Sequence, residues 1–213
     1  MPLKIGDGDT ILFIGDSITD CGRRGPGRPL GDGYVRLFSE LAAIREPAKR
    51  IRVINKGIGG DRVTGLRSRW SDDVLRNRPD WLSIKIGIND LHSVLRNDPQ
   101  AVTPELFREA YDEILSRTRK ALPRCRLLLI DPFYLSTDSA PTSFRHEVLA
   151  LLPKYIAVVH QMSRKYRTRL VRTHDMFRRL LKFHEPDLFC AEPVHPNMTG
   201  HLAIAEAVYE ALS

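Results

Sequence analysis

An α/β fold with a mostly parallel sheet is what this sequence predicts, and three observations carry the prediction. Short apolar runs rich in branched and aromatic residues recur along the chain, as buried strands do. The longer intervals between them carry apolar residues at helical spacing. The two alternate from one end to the other, a pattern whose stable solution is a parallel sheet with helices on both faces. A length of 213 residues with 42% hydrophobic content suits one globular domain, residues 1–213, with a sizeable core.

The elements follow in order. Thr10 to Gly15, T-I-L-F-I-G, reads as the first strand, and Tyr34 to Ala43 as a helix with apolar residues at Val35, Leu37, Phe38, Leu41 and Ala42. Ile51 to Ile54 and Trp81 to Ile86 are the second and third strands. Pro104 opens a helix at its first turn that runs through Leu106, Phe107, Ile114 and Leu115. Arg126 to Ile130 is the fourth strand, and Pro153 begins a helix through Tyr155, Ile156, Val159 and Met162. Arg169 to Val171 is a short fifth strand, and Met198 to Leu212 closes the chain as an apolar-striped helix. The least regular stretches are Cys21 to Gly33, with five glycines, and Leu135 to Phe144; loops of that length form part of a site or are mobile.

Composition excludes several function classes. Cys21, Cys125 and Cys190 have no C-x-x-C spacing, so neither a disulfide framework nor a zinc site is expected, and reduced thiols fit best. Met1 to Asp9 lacks the basic start and apolar stretch of a signal peptide, and no apolar run reaches the roughly 18 residues of a membrane span. A cytoplasmic protein without membrane contact is therefore expected. Lys and Arg number 33 against 26 acids, a net charge of +7. Between Arg164 and Lys182, eight Lys or Arg face the single acid Asp175, which reads as a solvated helix face or subunit contact. Neither zinc-finger spacing nor an aromatic-rich RNP sequence accompanies them, so nucleic acid is not an expected partner.

Parallel sheets place their sites at the carboxyl ends of the strands, and four segments there carry chemistry. Ser17, in Gly15-Asp16-Ser17-Ile18-Thr19-Asp20, directly follows the first strand, where a nucleophile belongs; alone it would be read as a helix-capping serine. Asn55-Lys56-Gly57-Ile58-Gly59-Gly60-Asp61 follows the second strand, and its glycines let a backbone N–H approach a bound oxygen. Arg62 stands where a dinucleotide fingerprint needs its third glycine, and no phosphate-cradling G-x-x-x-x-G-K-[ST] occurs. Asn89 follows the third strand and can aim its amide at the same edge, or close a local Asn-Asp turn. Glu192 precedes His195 by three residues, close enough for one to orient the other.

Together these segments resemble the signature blocks of the SGNH/GDSL hydrolases. The resemblance spans nearly the whole chain and implies a flavodoxin-like three-layer α/β/α sandwich with a five-stranded parallel sheet. It assigns Ser17 as nucleophile, His195 as general base, and Ser17, Gly60 and Asn89 as the oxyanion hole, with no metal or organic cofactor. Within that family, Phe13 to Gly22, Asn55 to Ile58, Pro79-Asp80-Trp81, Ile86 to Asp90 and Asp131 to Tyr134 are similar to bacterial acetylxylan esterases. That similarity implies a serine esterase removing acetyl groups from xylan-derived sugars through an acyl-enzyme, and assembly as a homo-oligomer.

Glu192 departs from the aspartate usual three residues before the histidine; a Ser-His-Glu triad is chemically sound, and Asp187 or a Ser-His dyad are the alternatives. The competing functions are a lipid esterase or lysophospholipase of the same family and a non-catalytic polyanion-binding protein. Asp16 reads as a turn-fixing residue, His92 and Phe133 as candidates for the pocket wall, and His201, Tyr34 and Trp70 as packing. Lys85, inside a buried strand, has no role in this reading.

Overall fold

Strands β1 (Thr10–Gly15), β2 (Arg52–Asn55), β3 (Trp81–Lys85), β4 (Arg126–Ile130) and β5 (Arg169–Val171) form one fully parallel sheet in the order β2-β1-β3-β4-β5. The computed structural model describes residues 1–138 and 140–213. Helices α1 (Ser17–Asp20), α2 (Tyr34–Arg45), α3 (Val63–Trp70), α4 (Ile88–Leu95), α5 (Pro104–Ala121), α6 (Phe144–Tyr166), α7 (Thr173–Leu180) and α8 (Met198–Leu212) connect and cover it. This is the expected flavodoxin-like order, whose switch point lies where β1 is followed by β3.

Every residue of β3 is buried and only Thr10 of β1 is not, as a sheet with both faces covered requires. On the helical layers α2 packs on α8, α3 on α5, and α6 on both α4 and α5. Trp70 and Tyr34 are fully buried, with the Trp70 indole donating to Thr118 Oγ1 at 3.0 Å and Tyr34 Oη 3.0 Å from Thr19 Oγ1, so both belong to packing as expected. No helix among the described residues is long and apolar enough to cross a membrane.

Pro153 does not begin a helix but lies inside α6. The true start is Ser143, whose hydroxyl accepts from the His146 N–H at 3.1 Å as an N-cap. An interior proline costs about 3 kcal/mol. The helix persists because Val148, Leu152, Tyr155, Val159 and Met162 share one buried face on both sides of Pro153, and each such side chain contributes roughly 1.5–3 kcal/mol. Four further helices, α1, α3, α4 and α7, occupy segments that the sequence left unassigned.

Candidate active site

The chain leaves β1 at Gly15, where any Cβ would collide with the Lys85 carbonyl of the neighbouring strand, and turns at once into α1. Asp16 is the N-cap of that short helix: its Oδ1 accepts from the Ile18 N–H at 3.0 Å. Ser17 is therefore the first helical residue, and its own N–H is among the donors a helix leaves without an intrahelical acceptor. The turn thus presents both the Ser17 hydroxyl and its N–H at the carboxyl edge of the sheet.

The loop after β2 is stitched to α1. The Asn55 amide donates to the Thr19 and Leu30 carbonyls, both at 2.6 Å, and its oxygen accepts from the Gly57 N–H at 2.8 Å. Gly57 passes so close to the Asp20 backbone that no side chain fits. The Gly59 N–H donates to Asp20 Oδ2 at 3.0 Å, leaving Gly60, at φ +78°, as the exposed tip of the loop with open space before it. Asn89, in the first turn of α4, donates from Nδ2 to the Asp61 carbonyl at 3.1 Å rather than closing a local turn, which brings its amide beside Gly60. Asp61 is in turn held by Arg69, whose guanidinium is 2.7 Å from Asp61 Oδ2 and also donates to the Lys56 carbonyl at 2.7 Å. Asn55, Asp20 and Arg69 have positioning roles that no spacing signalled, because most of their partners are backbone groups distant in sequence.

His195 arrives from the other side on the loop before α8. An antiparallel bridge between Cys190 and Pro196 closes this loop, and the Pro193 carbonyl accepts from the Leu135 N–H at 2.9 Å. Asn197 caps α8 through the Gly200 N–H at 3.1 Å and donates to the Asp187 and Leu188 carbonyls. So held, His195 Nε2 lies 2.9 Å from Ser17 Oγ and His195 Nδ1 lies 2.5 Å from Glu192 Oε1. Glu192 also accepts from the backbone N–H groups of His195 at 2.6 Å and Val194 at 3.0 Å, so the longer carboxylate curls over its own turn. Among the described residues, the Asp187 side chain makes no hydrogen bond to His195; its backbone carbonyl accepts from the Asn197 amide at 3.1 Å.

The remaining expectations divide. His201 is a packing residue: its Nδ1 accepts from the Tyr34 N–H at 3.2 Å, its Nε2 is 3.4 Å from Cys21 Sγ, and burial pushes its pKa down to about 4. His92 is buried against Tyr134 and Phe144, and burial pushes it down to about 4 as well. Phe133 does not line a pocket; it is fully buried, with its ring centroid 4.7 Å from that of Phe177. Lys85 now has a place: it is buried in β3 beside Gly15, its ammonium 4.9 Å from the centre of the Phe133 ring. Burial pushes its pKa down, opposed first by Asp16 and then by Asp131. Burial likewise pushes Asp16 up, opposed most by Lys85.

A hydroxyl within hydrogen-bond reach of an imidazole, itself oriented by a carboxylate, is the arrangement of an activated nucleophile. Open donors at one side can stabilise an oxyanion. The sequence matches a family profile described as GDSL-like lipase/acylhydrolase over residues 13–203. An acetylxylan esterase of Geobacillus stearothermophilus is 35% identical over 212 residues, covering 96% of this chain and 94% of that protein. An uncharacterised protein of Bacillus subtilis is 25% identical, covering 95% of this chain and 80% of its own length. The crystal structure of an acetylxylan esterase from Geobacillus stearothermophilus superposes with a TM-score of 0.87 at 32% identity, covering 99% of this chain and 97% of that one. That of a putative GDSL-like lipase from Parabacteroides merdae gives a TM-score of 0.91 at 28% identity, covering 100% and 99%.

Proposed function

Because the chain belongs to the GDSL-like lipase/acylhydrolase family and is a carboxylic ester hydrolase, we propose that it deacetylates xylan-derived or similar acetylated oligosaccharides through an acyl-enzyme on Ser17. The observation that carries the proposal is the continuous line from Ser17 Oγ through His195 to Glu192, at 2.9 and 2.5 Å. In this reading His195 takes the Ser17 proton as the oxygen attacks the ester carbonyl. The N–H groups of Ser17 and Gly60 and the Asn89 amide receive the developing oxyanion, and each such donor is worth about 3 kcal/mol to the transition state. His195 then protonates the leaving alcohol, and water repeats the sequence on the acyl-enzyme.

The carbohydrate reading is favoured by the cavity next to Glu192. It measures about 420 Å³, and beside Leu135, Pro186 and Ala191 its wall carries Ser136, Thr137, Asp138, Arg145, Glu185 and Asp187, groups that hydrogen-bond to sugar hydroxyls. The whole chain acts as one domain in this reading, and self-association of identical copies belongs to it; sedimentation velocity measures the latter.

The deciding experiment compares acetate release from acetylated xylo-oligosaccharides by wild type and Ser17→Ala, with p-nitrophenyl acetate as control. Wild type is expected to turn over both and the variant neither. Preference for octanoyl over acetyl esters would replace the carbohydrate substrate with a lipid; turnover by Ser17→Ala would remove Ser17 from the mechanism.

A further inference from the structure

The edge of the sheet opposite Ser17 carries a second concave site. At the amino ends of β3, β4 and β5 lies a cavity of about 410 Å³ lined by Lys4, Arg119, Arg124, Arg126, Arg167 and Arg169, with no carboxylate in its wall. Among the described residues none of these six forms an ion pair with Asp or Glu.

Three of the guanidinium groups are nonetheless held in place. Arg119 donates to the Cys125 and Tyr166 carbonyls at 2.6 and 2.9 Å, Arg126 to the Lys4 carbonyl at 3.3 Å, and Arg169 to the Ala211 carbonyl. Arg126 also lies 5.2 Å over the buried Trp81 ring. A carbonyl fixes the direction of a guanidinium without neutralising it, and most of its five donors remain available.

A simpler account is that these cations balance helix ends, since Arg119 is in the last turn of α5, Arg167 caps α6 and Arg169 meets the last turn of α8. The magnitudes do not balance. A helix C-terminus carries about half a negative charge, so three of them offset only about 1.5 of the positive charges. Asp80, on the adjoining rim beside Arg124, offsets one more. Roughly 3 to 4 positive charges remain around a cavity of small-molecule size.

We propose that this cavity binds an oligophosphate, a compact anion such as a tripolyphosphate chain, either free or as the triphosphate of a nucleotide. Several charges must enter a small volume to balance the wall, and the guanidinium fork matches phosphate oxygens two at a time. A uronic-acid polysaccharide carries at most about one charge per sugar unit, too sparse for a site this size, whereas a phosphate chain carries at least one per phosphorus. Duplex nucleic acid spreads its charge along a cylinder that contacts surfaces rather than entering a cavity. The site is at the far edge of the sheet from Ser17, so the inference does not depend on the esterase mechanism.

Isothermal titration calorimetry with sodium tripolyphosphate at low salt tests it, with orthophosphate and ATP as parallel ligands. One tripolyphosphate per chain is expected, bound about tenfold or more tightly than orthophosphate and weakened by added salt. Arg124→Gln combined with Arg167→Asn removes two exposed cations; asparagine suits the left-handed φ of 51° at position 167. This double variant is expected to unfold like wild type on heating and to bind tripolyphosphate about tenfold or more weakly. Arg36→Gln, which removes a cation paired with Asp32 and Glu40 on α2, is expected to leave binding unchanged. ATP binding at least as tight as tripolyphosphate identifies a nucleotide site, and weaker ATP binding an inorganic one. The proposal is overturned if wild type gives no saturable heat, if Arg36→Gln weakens binding as much as the double variant, or if only a DNA duplex binds.

Discussion

Glu192 shows how one methylene is accommodated in a proposed triad. The added length lets the carboxylate reach His195 Nδ1 at 2.5 Å while still accepting from the Val194 N–H at 3.0 Å, so the turn itself fixes the acid. Glu192→Gln, which retains the shape but not the charge, is expected to lower kcat by roughly 10⁴-fold in a p-nitrophenyl acetate assay, as loss of the orienting carboxylate does elsewhere. Glu192→Asp sacrifices only the Val194 contact and should stay within about tenfold of wild type. Lys85 acts one layer further in. It supplies the main positive charge opposing the upward shift of the buried Asp16, whose Oδ1 caps the turn that carries Ser17. Removing a neighbouring cation raises a carboxyl pKa, so Lys85→Met is expected to keep Asp16 protonated to higher pH. The pH–rate profile of the variant should show its acid limb moved upward, with kcat affected more than KM. Adding Asp16→Asn should abolish that movement, because no carboxyl is left to titrate; Asp131, Cys190 and His201, the other groups facing Lys85, remain in both variants.

At the level of elements, what could be read in advance was what hydrophobic pattern alone specifies. The central strands β1 and β4 were legible because a doubly covered parallel strand leaves a nearly unbroken apolar run, as Leu127 to Ile130 does; the edge strands β2 and β5 gave only the short runs Val53-Ile54 and Leu170-Val171, and β3 is interrupted by Ser83 and Lys85. The short helices were not. In α7, T-H-D-M-F-R-R-L, only Thr173 and Phe177 are buried, and α3 carries a glycine, Gly65, and four polar or basic residues in its eight. Their stability comes from tertiary packing, which no local window contains. Ser17, Gly60, Asn89 and His195 were legible because each follows a strand or precedes a helix that the pattern marked, whereas Asn55 and Arg69 work through distant carbonyls. Pro153 misled because a proline favours a helix start, yet here it sits in the exposed face of a long helix. Pro153→Ala restores an interior N–H and should raise stability by about 1–3 kcal/mol, the helix penalty less the entropy that proline removes from the unfolded chain, measurable as a shift in urea midpoint.

For the molecule as a whole, buried carboxyls and buried imidazoles set opposing pH dependences. His92 and His201, pushed from 6.5 down to about 4, favour the folded state above pH 6.5, and their contribution is lost as pH falls through about 4. Asp90, pushed by burial from 3.8 up to about 7, contributes in the opposite sense: its stabilisation is full at acid pH and lost as pH rises through about 7. Near pH 5.5, therefore, unfolding takes up about two protons at the histidines and releases about one at Asp90. Asp90 thus opposes the two histidines there, as the raised Asp16 does, while the lowered His174 adds to them. Asp90→Asn keeps an acceptor for the Val63 N–H but removes the opposing proton, and the slope of its urea-unfolding free energy against pH should be more positive than that of wild type by roughly 1.4 kcal/mol per pH unit. The site itself stands in the open: the His195 and Glu192 side chains are 58% and 48% exposed. In the proposed mechanism a base so accessible does not select water by exclusion, so whichever hydroxyl compound is most abundant at its face competes for the acyl group. In concentrated methanol or glycerol the protein should therefore act as a transferase, accumulating methyl or glyceryl acetate in place of free acetate, and chromatography of the two products measures how far composition of the medium directs the outcome.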